Sequence, residues 1–102
     1  MTQAKHEPIN LVLQMAEGLL PSVMRKVGLE DTPENRADAL ALALNAMPSK
    51  YITTGGGKSY TQFVENYRHQ YETDILSNLT RAALKVKQSP RGEAREDAGD
   101  RA

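Results

Sequence analysis

Residues 31–51 read Asp-Thr-Pro-Glu-Asn-Arg-Ala-Asp-Ala-Leu-Ala-Leu-Ala-Leu-Asn-Ala-Met-Pro-Ser-Lys-Tyr. The alternation of alanine and leucine over 39–44 is compatible with a strand. Alanine's helix preference and the signal in front of it decide for a helix. Thr32 can cap, Pro33 suits the first helical position, and Glu34 suits the positive end of the helix dipole. Pro48 ends the pattern. The segment Ala37–Met47 is apolar on nearly every face, and a helix apolar all round is a buried one. It is expected at the centre of the fold.

On the N-terminal side, Glu7-Pro8 opens a helical pattern. Ile9, Val12, Leu13, Ala16, Leu19 and Leu20 recur at helical spacing. Pro21 is expected to end or kink this helix, with Ser22–Val27 as a second short piece and Gly28 as its stop. After Pro48, Lys50-Tyr51-Ile52-Thr53-Thr54 has strand-like residues, and Gly55-Gly56-Gly57 is a turn. One short strand needs a partner, which a second subunit could supply. Ser59 and Gln62 form a capping box. A long helix follows, with Tyr60, Phe63, Val64, Tyr67, Tyr71, Leu76, Leu79, Ala82, Ala83 and Val86 as its buried stripe. Its ~28 residues span roughly 40 Å, more than a small monomer needs, so another chain is expected to cover part of it.

The fold expected is therefore all-α or nearly so: a central buried helix, N-terminal helices beside it, one long C-terminal helix and a short strand near 50–54, as a homodimer. Residues 1–7 are expected to be a flexible N-terminus, 8–87 the helical domain, and 88–102 a disordered polar tail.

Composition narrows the function. The chain has 102 residues, no cysteine and two histidines, His6 and His69. Thiol catalysis, iron–sulfur clusters and zinc–thiolate sites are excluded, and a histidine-rich metal site is not expected. The N-terminal stretch lacks the apolar core of a signal peptide, and no apolar run nears the ~18 residues of a membrane span. A cytoplasmic protein is expected. Basic and acidic residues balance at 13 each, but residues 46–91 carry a net +4. That excess suits an anion; it is too weak to argue for duplex DNA. No Ser-His-Asp set, paired carboxylates or metal constellation stands out, so no enzyme is expected.

Gly55-Gly56-Gly57-Lys58-Ser59 resembles a phosphate-binding loop, but the pattern requires glycine where Ile52 stands. The stretch reads as a turn feeding a capped helix, with a non-hydrolytic anion contact at the helix start as the alternative. Thr53 and Thr54 are turn residues or phosphate contacts. Tyr60, Tyr67 and Tyr71 share a face that suits core, interface or base stacking. Lys58 and Arg68 are a solvated basic face or a phosphate and guanine clamp. His69 is a solvated or partner-facing side chain.

The run from Asp38 to Tyr51 resembles the signature of the ComFB family of late competence proteins: an Asp, an apolar helix, then Asn-x-Leu-Pro-Pro-x-Tyr and a threonine- or serine-containing turn. Asn45, Pro48 and Tyr51 match. Met47 replaces the leucine and Ser49 the second proline. The resemblance covers roughly residues 8–91. Some members carry a cysteine cluster before the Asp; residues 30–35 here have none, so no zinc is expected. The resemblance implies a small helical homodimer without catalytic activity. Relatives are implicated as receptors for cyclic di-GMP, which is two-fold symmetric and doubly anionic. The positions matching the family, Asn45, Tyr51 and the turn with Thr53, Thr54 and Lys58, offer groups for such a ligand, and Asp38 could accept from a guanine N–H edge; with Lys50 and Arg68 from the residue reading they make up the candidate site. Asn45 as a helix cap and Tyr51 as a packing residue stay open. The function expected is a cyclic di-GMP sensor acting on a regulatory partner protein; the alternative is a ligand-free adaptor dimer in competence, motility or adhesion.

Overall fold

The computed structural model describes residues 8–53 and 58–89, the side chains of Lys58, Ser59 and Tyr60 excepted. The expected flexible N-terminus (1–7), the turn Thr54–Gly57 and all of the expected tail beyond Ser89 lie outside the described residues. The elements are β1 (Pro8–Asn10), α1 (Leu11–Val27), α2 (Pro33–Asn45), β2 (Tyr51–Thr53) and α3 (Lys58–Gln88).

α1 buries Leu11, Val12, Met15, Ala16, Leu20, Val23 and Met24, a stripe recurring every three or four residues. It stops at Gly28, whose φ of 78° is the left-handed conformation that glycine adopts without strain. The Leu29 amide donates to the Met24 carbonyl at 2.9 Å and the Gly28 amide to Arg25 at 3.3 Å, a Schellman closure that tucks Leu29 under the core. α2 starts as its sequence indicates, with the Thr32 hydroxyl accepting from the Asn35 amide at 3.1 Å. α3 packs against both α1 and α2 and buries Ile75, Leu79, Ala82, Ala83 and Val86. Alanines 16, 39, 43, 82 and 83 in the core allow close backbone approach.

Several expectations change. Pro8 opens a strand, not a helix; Asn10, two residues on, caps α1 instead. α1 runs unbroken through Pro21. Pro21 and Glu17, whose carbonyl loses its helical donor, both lie on the exposed face, where water can serve that carbonyl. β2 pairs with β1 of the same chain, antiparallel, with Ile9 opposite Ile52 and Asn10 opposite Tyr51; no second subunit is needed for it. α2 is not buried on every side. Only Ala39 and Ala43 are fully buried, and Leu40, Leu42 and Leu44 are half-buried, because two neighbouring helices in so short a chain cover one side of a third. α3 extends to Gln88, one residue past the expected end.

Among the described residues, the buried stripe of α3 is confined to its C-terminal half; the Tyr60 side chain, expected in the stripe, lies outside them. Phe63 and Tyr71 are each 37% exposed, and Val64, Tyr67 and Leu76 are half-buried. At 31 residues, α3 is roughly 46 Å long, against about 26 Å for the 17-residue α1. Its N-terminal half therefore outruns the helices that cover it, and that overhang carries the aromatic residues.

Candidate ligand cleft

The segment between α2 and β2 is fastened to the start of α1. The Leu11 amide donates to the Lys50 carbonyl at 2.6 Å. Asn10 Oδ1 accepts from the amides of Val12 at 3.1 Å, Leu13 at 3.4 Å and Lys50 at 3.4 Å. One side chain thus caps α1 and holds Lys50 in place. The Lys50 amine lies 5.6 Å from the centroid of the Phe63 ring, within cation–π range.

Phe63, Tyr67 and Tyr71 follow at intervals of four residues, which stacks them along one face of α3. Ring centroids are 6.3 Å apart for Phe63–Tyr67 and 4.5 Å for Tyr67–Tyr71, each pair tilted by about 35–37°. The amides of Gln62, Asn66 and Gln70 flank this ladder, and with Lys50 they enclose an open cleft of about 540 Å³. A second groove of about 340 Å³ shares Lys50, Tyr67 and Tyr71. Val12, Met47 and Ile75 are among its apolar lining, and Asp74 and Asn78 are among its polar lining. Burial raises the Tyr67 hydroxyl above the ordinary tyrosine value, and the Tyr71 charge adds to the shift. The arrangement offers stacking faces, amide donors and acceptors, one cation and one carboxylate.

Of the residues anticipated from sequence, Lys50 and the stacking candidates Tyr67 and Tyr71 line both of these cavities. Arg68 lies on another face of α3, in a notch with Gln14, Gly18 and Glu72. Tyr51 is 64% exposed on β2, and Thr53 pairs with Pro8. Asp38 is half-buried on α2 and Asn45 is exposed at that helix's last position; neither lines the cleft or the groove. Thr54 and the Lys58 side chain lie outside the described residues. The sequence reading left out Gln62, Asn66, Gln70 and Asp74. The four-residue spacing of the rings was the signal available for their shared face. Among the described residues no cluster of metal-ligating side chains occurs.

The family model described as late competence development protein ComFB matches residues 10–90. This chain belongs to the ComFB family. The solved structure of late competence protein ComFB from Bacillus subtilis is similar to it at a TM-score of 0.67 and 26% identity, covering 84% of this chain and 94% of that one. No curated protein matches. The matched span includes the Asn45–Tyr51 signature, which in this ComFB-family chain closes α2 and leads into β2. Among the described residues no helix is long and apolar enough to cross a membrane.

Proposed function

We propose that this ComFB-family chain is a non-catalytic cytoplasmic regulator that binds cyclic di-GMP at the Lys50 cleft and passes the bound state to a partner protein. The observation that carries the reading is the Lys50 amine held beside the Phe63–Tyr67–Tyr71 ladder. Guanine presents a broad π face, and base–aromatic stacking is worth about 1–3 kcal/mol per base. The flanking amides suit the hydrogen-bonding edges of a base, and Lys50 suits a phosphate. The ligand is two-fold symmetric with two phosphates. A symmetric homodimer would bring two Lys50 amines to it, so one ligand per two chains is expected. Signalling then requires that the ligand bind two states of the protein unequally.

A ligand-free adaptor dimer is the second reading. The half-buried leucines of α2 and the overhang of α3 favour it, since both are apolar surface that a protein neighbour could cover.

Isothermal titration with cyclic di-GMP, with GTP and cyclic di-AMP as controls, separates the two. Selective binding at micromolar or lower ligand, weakened about tenfold by Tyr71→Ala or Lys50→Ala and little changed by Arg68→Ala, supports the receptor. Absence of heat and of any thermal shift at ligand far above micromolar overturns it in favour of the adaptor.

A further inference from the structure

We propose that Asp74 is the residue that reads guanine in this groove, an inference resting on the receptor reading above. Tyr67, Tyr71, Asp74 and Asn78 are spaced four, three and four residues apart, so they share one face of α3. The ring ladder therefore runs directly into a carboxylate. Asp74 lines the groove together with Lys50, Tyr67 and Tyr71. Its backbone carbonyl, not its carboxylate, accepts from Asn78 Nδ2, at 2.9 Å. Among the described residues the carboxylate has no ion-pair partner. Asn78 Oδ1 accepts from Arg81 at 3.3 Å, so both ends of that amide are engaged within α3.

The groove thus combines a cation and a carboxylate, Lys50 and Asp74, with the apolar Val12, Met47 and Ile75 and the rings of Tyr67 and Tyr71. Asp74 stands three positions beyond Tyr71, about one helical turn along α3. Such a site fits a flat, apolar-faced group with adjacent N–H donors on one edge, carried on an anionic ligand. Guanine meets this description: its N1–H and exocyclic N2–H lie side by side and match the two oxygens of a carboxylate, which only accepts. Adenine places a lone pair where guanine has N1–H. It would face the carboxylate without a donor, and a site built around a hydrogen bond rejects the analogue that lacks it. Asp74 thereby takes the role that sequence reading had given to Asp38. It is a specificity residue and leaves general affinity to the rings and Lys50.

The test is titration of the full chain and of Asp74→Asn and Asp74→Ala with cyclic di-GMP and cyclic di-AMP, each variant checked by thermal unfolding. Asp74 is exposed, so both variants should melt with the parent. The expected result is about a tenfold or greater loss of affinity for cyclic di-GMP in both variants, with cyclic di-AMP binding unchanged or improved, so that the preference for guanine collapses. A parent that binds cyclic di-GMP while Asp74→Asn binds it equally well and with the same preference overturns the role of Asp74 and leaves the receptor reading standing. A parent that binds neither dinucleotide overturns both.

Discussion

The Asn10 side-chain oxygen accepts a hydrogen bond from the backbone amide of Lys50 at 3.4 Å, across 40 residues of sequence. The same oxygen accepts from Val12 and Leu13 to cap α1. Cleft geometry and helix stability therefore depend on one side chain. Asn10→Ala is expected to lower stability by about 1 kcal/mol, or roughly 5 °C in melting temperature for a domain of this size. Under the receptor proposal it should also weaken cyclic di-GMP binding, because the Lys50 backbone loses one of its anchors. Asn10→Asp keeps an acceptor and should recover most of the stability. Thermal denaturation followed by circular dichroism, paired with titration, checks both effects.

The far end of the molecule has a comparable fastening. Lys87 Nζ donates to the Val27 carbonyl at 2.8 Å, placing a cation at the C-terminus of α1. A Cβ on Gly28 would stand 3.1 Å from that amine. The amine ends a flexible side chain and can move. The positive φ of Gly28 cannot be relieved so easily. Gly28→Ala is expected to cost about 1–2 kcal/mol, and Lys87→Met about 0.3–1 kcal/mol, the latter shrinking in high salt. Denaturant titration at low and high salt distinguishes the two causes: only the Lys87 effect should fade.

Why some of this was readable in advance follows from the range of each interaction. The Gly28 stop and the Thr32–Pro33 start depend on neighbours a few residues away, and both stand where the local chemistry puts them. Family membership was also legible, from the Asn45–Tyr51 signature. Pro8 misled because proline opens helices as well as edge strands, and what decides here is the ladder to Tyr51–Thr53, some forty positions away. Leu40, Leu42 and Leu44 gave no sign of how much neighbouring helix would be available to cover them. Which helix carboxylate would line the groove was out of reach for the same reason. Asp38 and Asp74 both sit on helices, and the rotation of α3 that buries Ile75 and Leu79 leaves Asp74, not Asp38, in the groove with Lys50.

Gly18 lies in the middle of α1, where glycine is unfavourable relative to alanine by about 1 kcal/mol. A Cβ built there meets nothing within 4 Å. Gly18→Ala is therefore expected to stabilise the isolated chain by about 0.5–1 kcal/mol, seen as a melting temperature several degrees higher. The notch that Gly18 shares with Arg68 and Glu72 is open on the outside. If melting temperature instead falls, and falls more at high protein concentration, a second chain packs closely on Gly18 in solution.

The Tyr67 hydroxyl ties stability to pH at the alkaline end. Burial, with a smaller contribution from Tyr71, raises its folded-state pKa above the usual value. As pH passes about 10, the unfolded chain releases this proton while the folded chain still holds it. The folded state then binds more protons than the unfolded one, so stability falls as pH rises. Below that range the contribution is fully present and flat. Tyr67→Phe removes the titrating group and keeps the ring ladder. Urea denaturation of the two proteins over a series of alkaline pH values should show a shallower loss in the variant. Tyr71→Phe removes only the lesser cause and should lessen the slope in part. Parallel slopes for parent and Tyr67→Phe would mean that this hydroxyl ionises alike in the folded and unfolded chains.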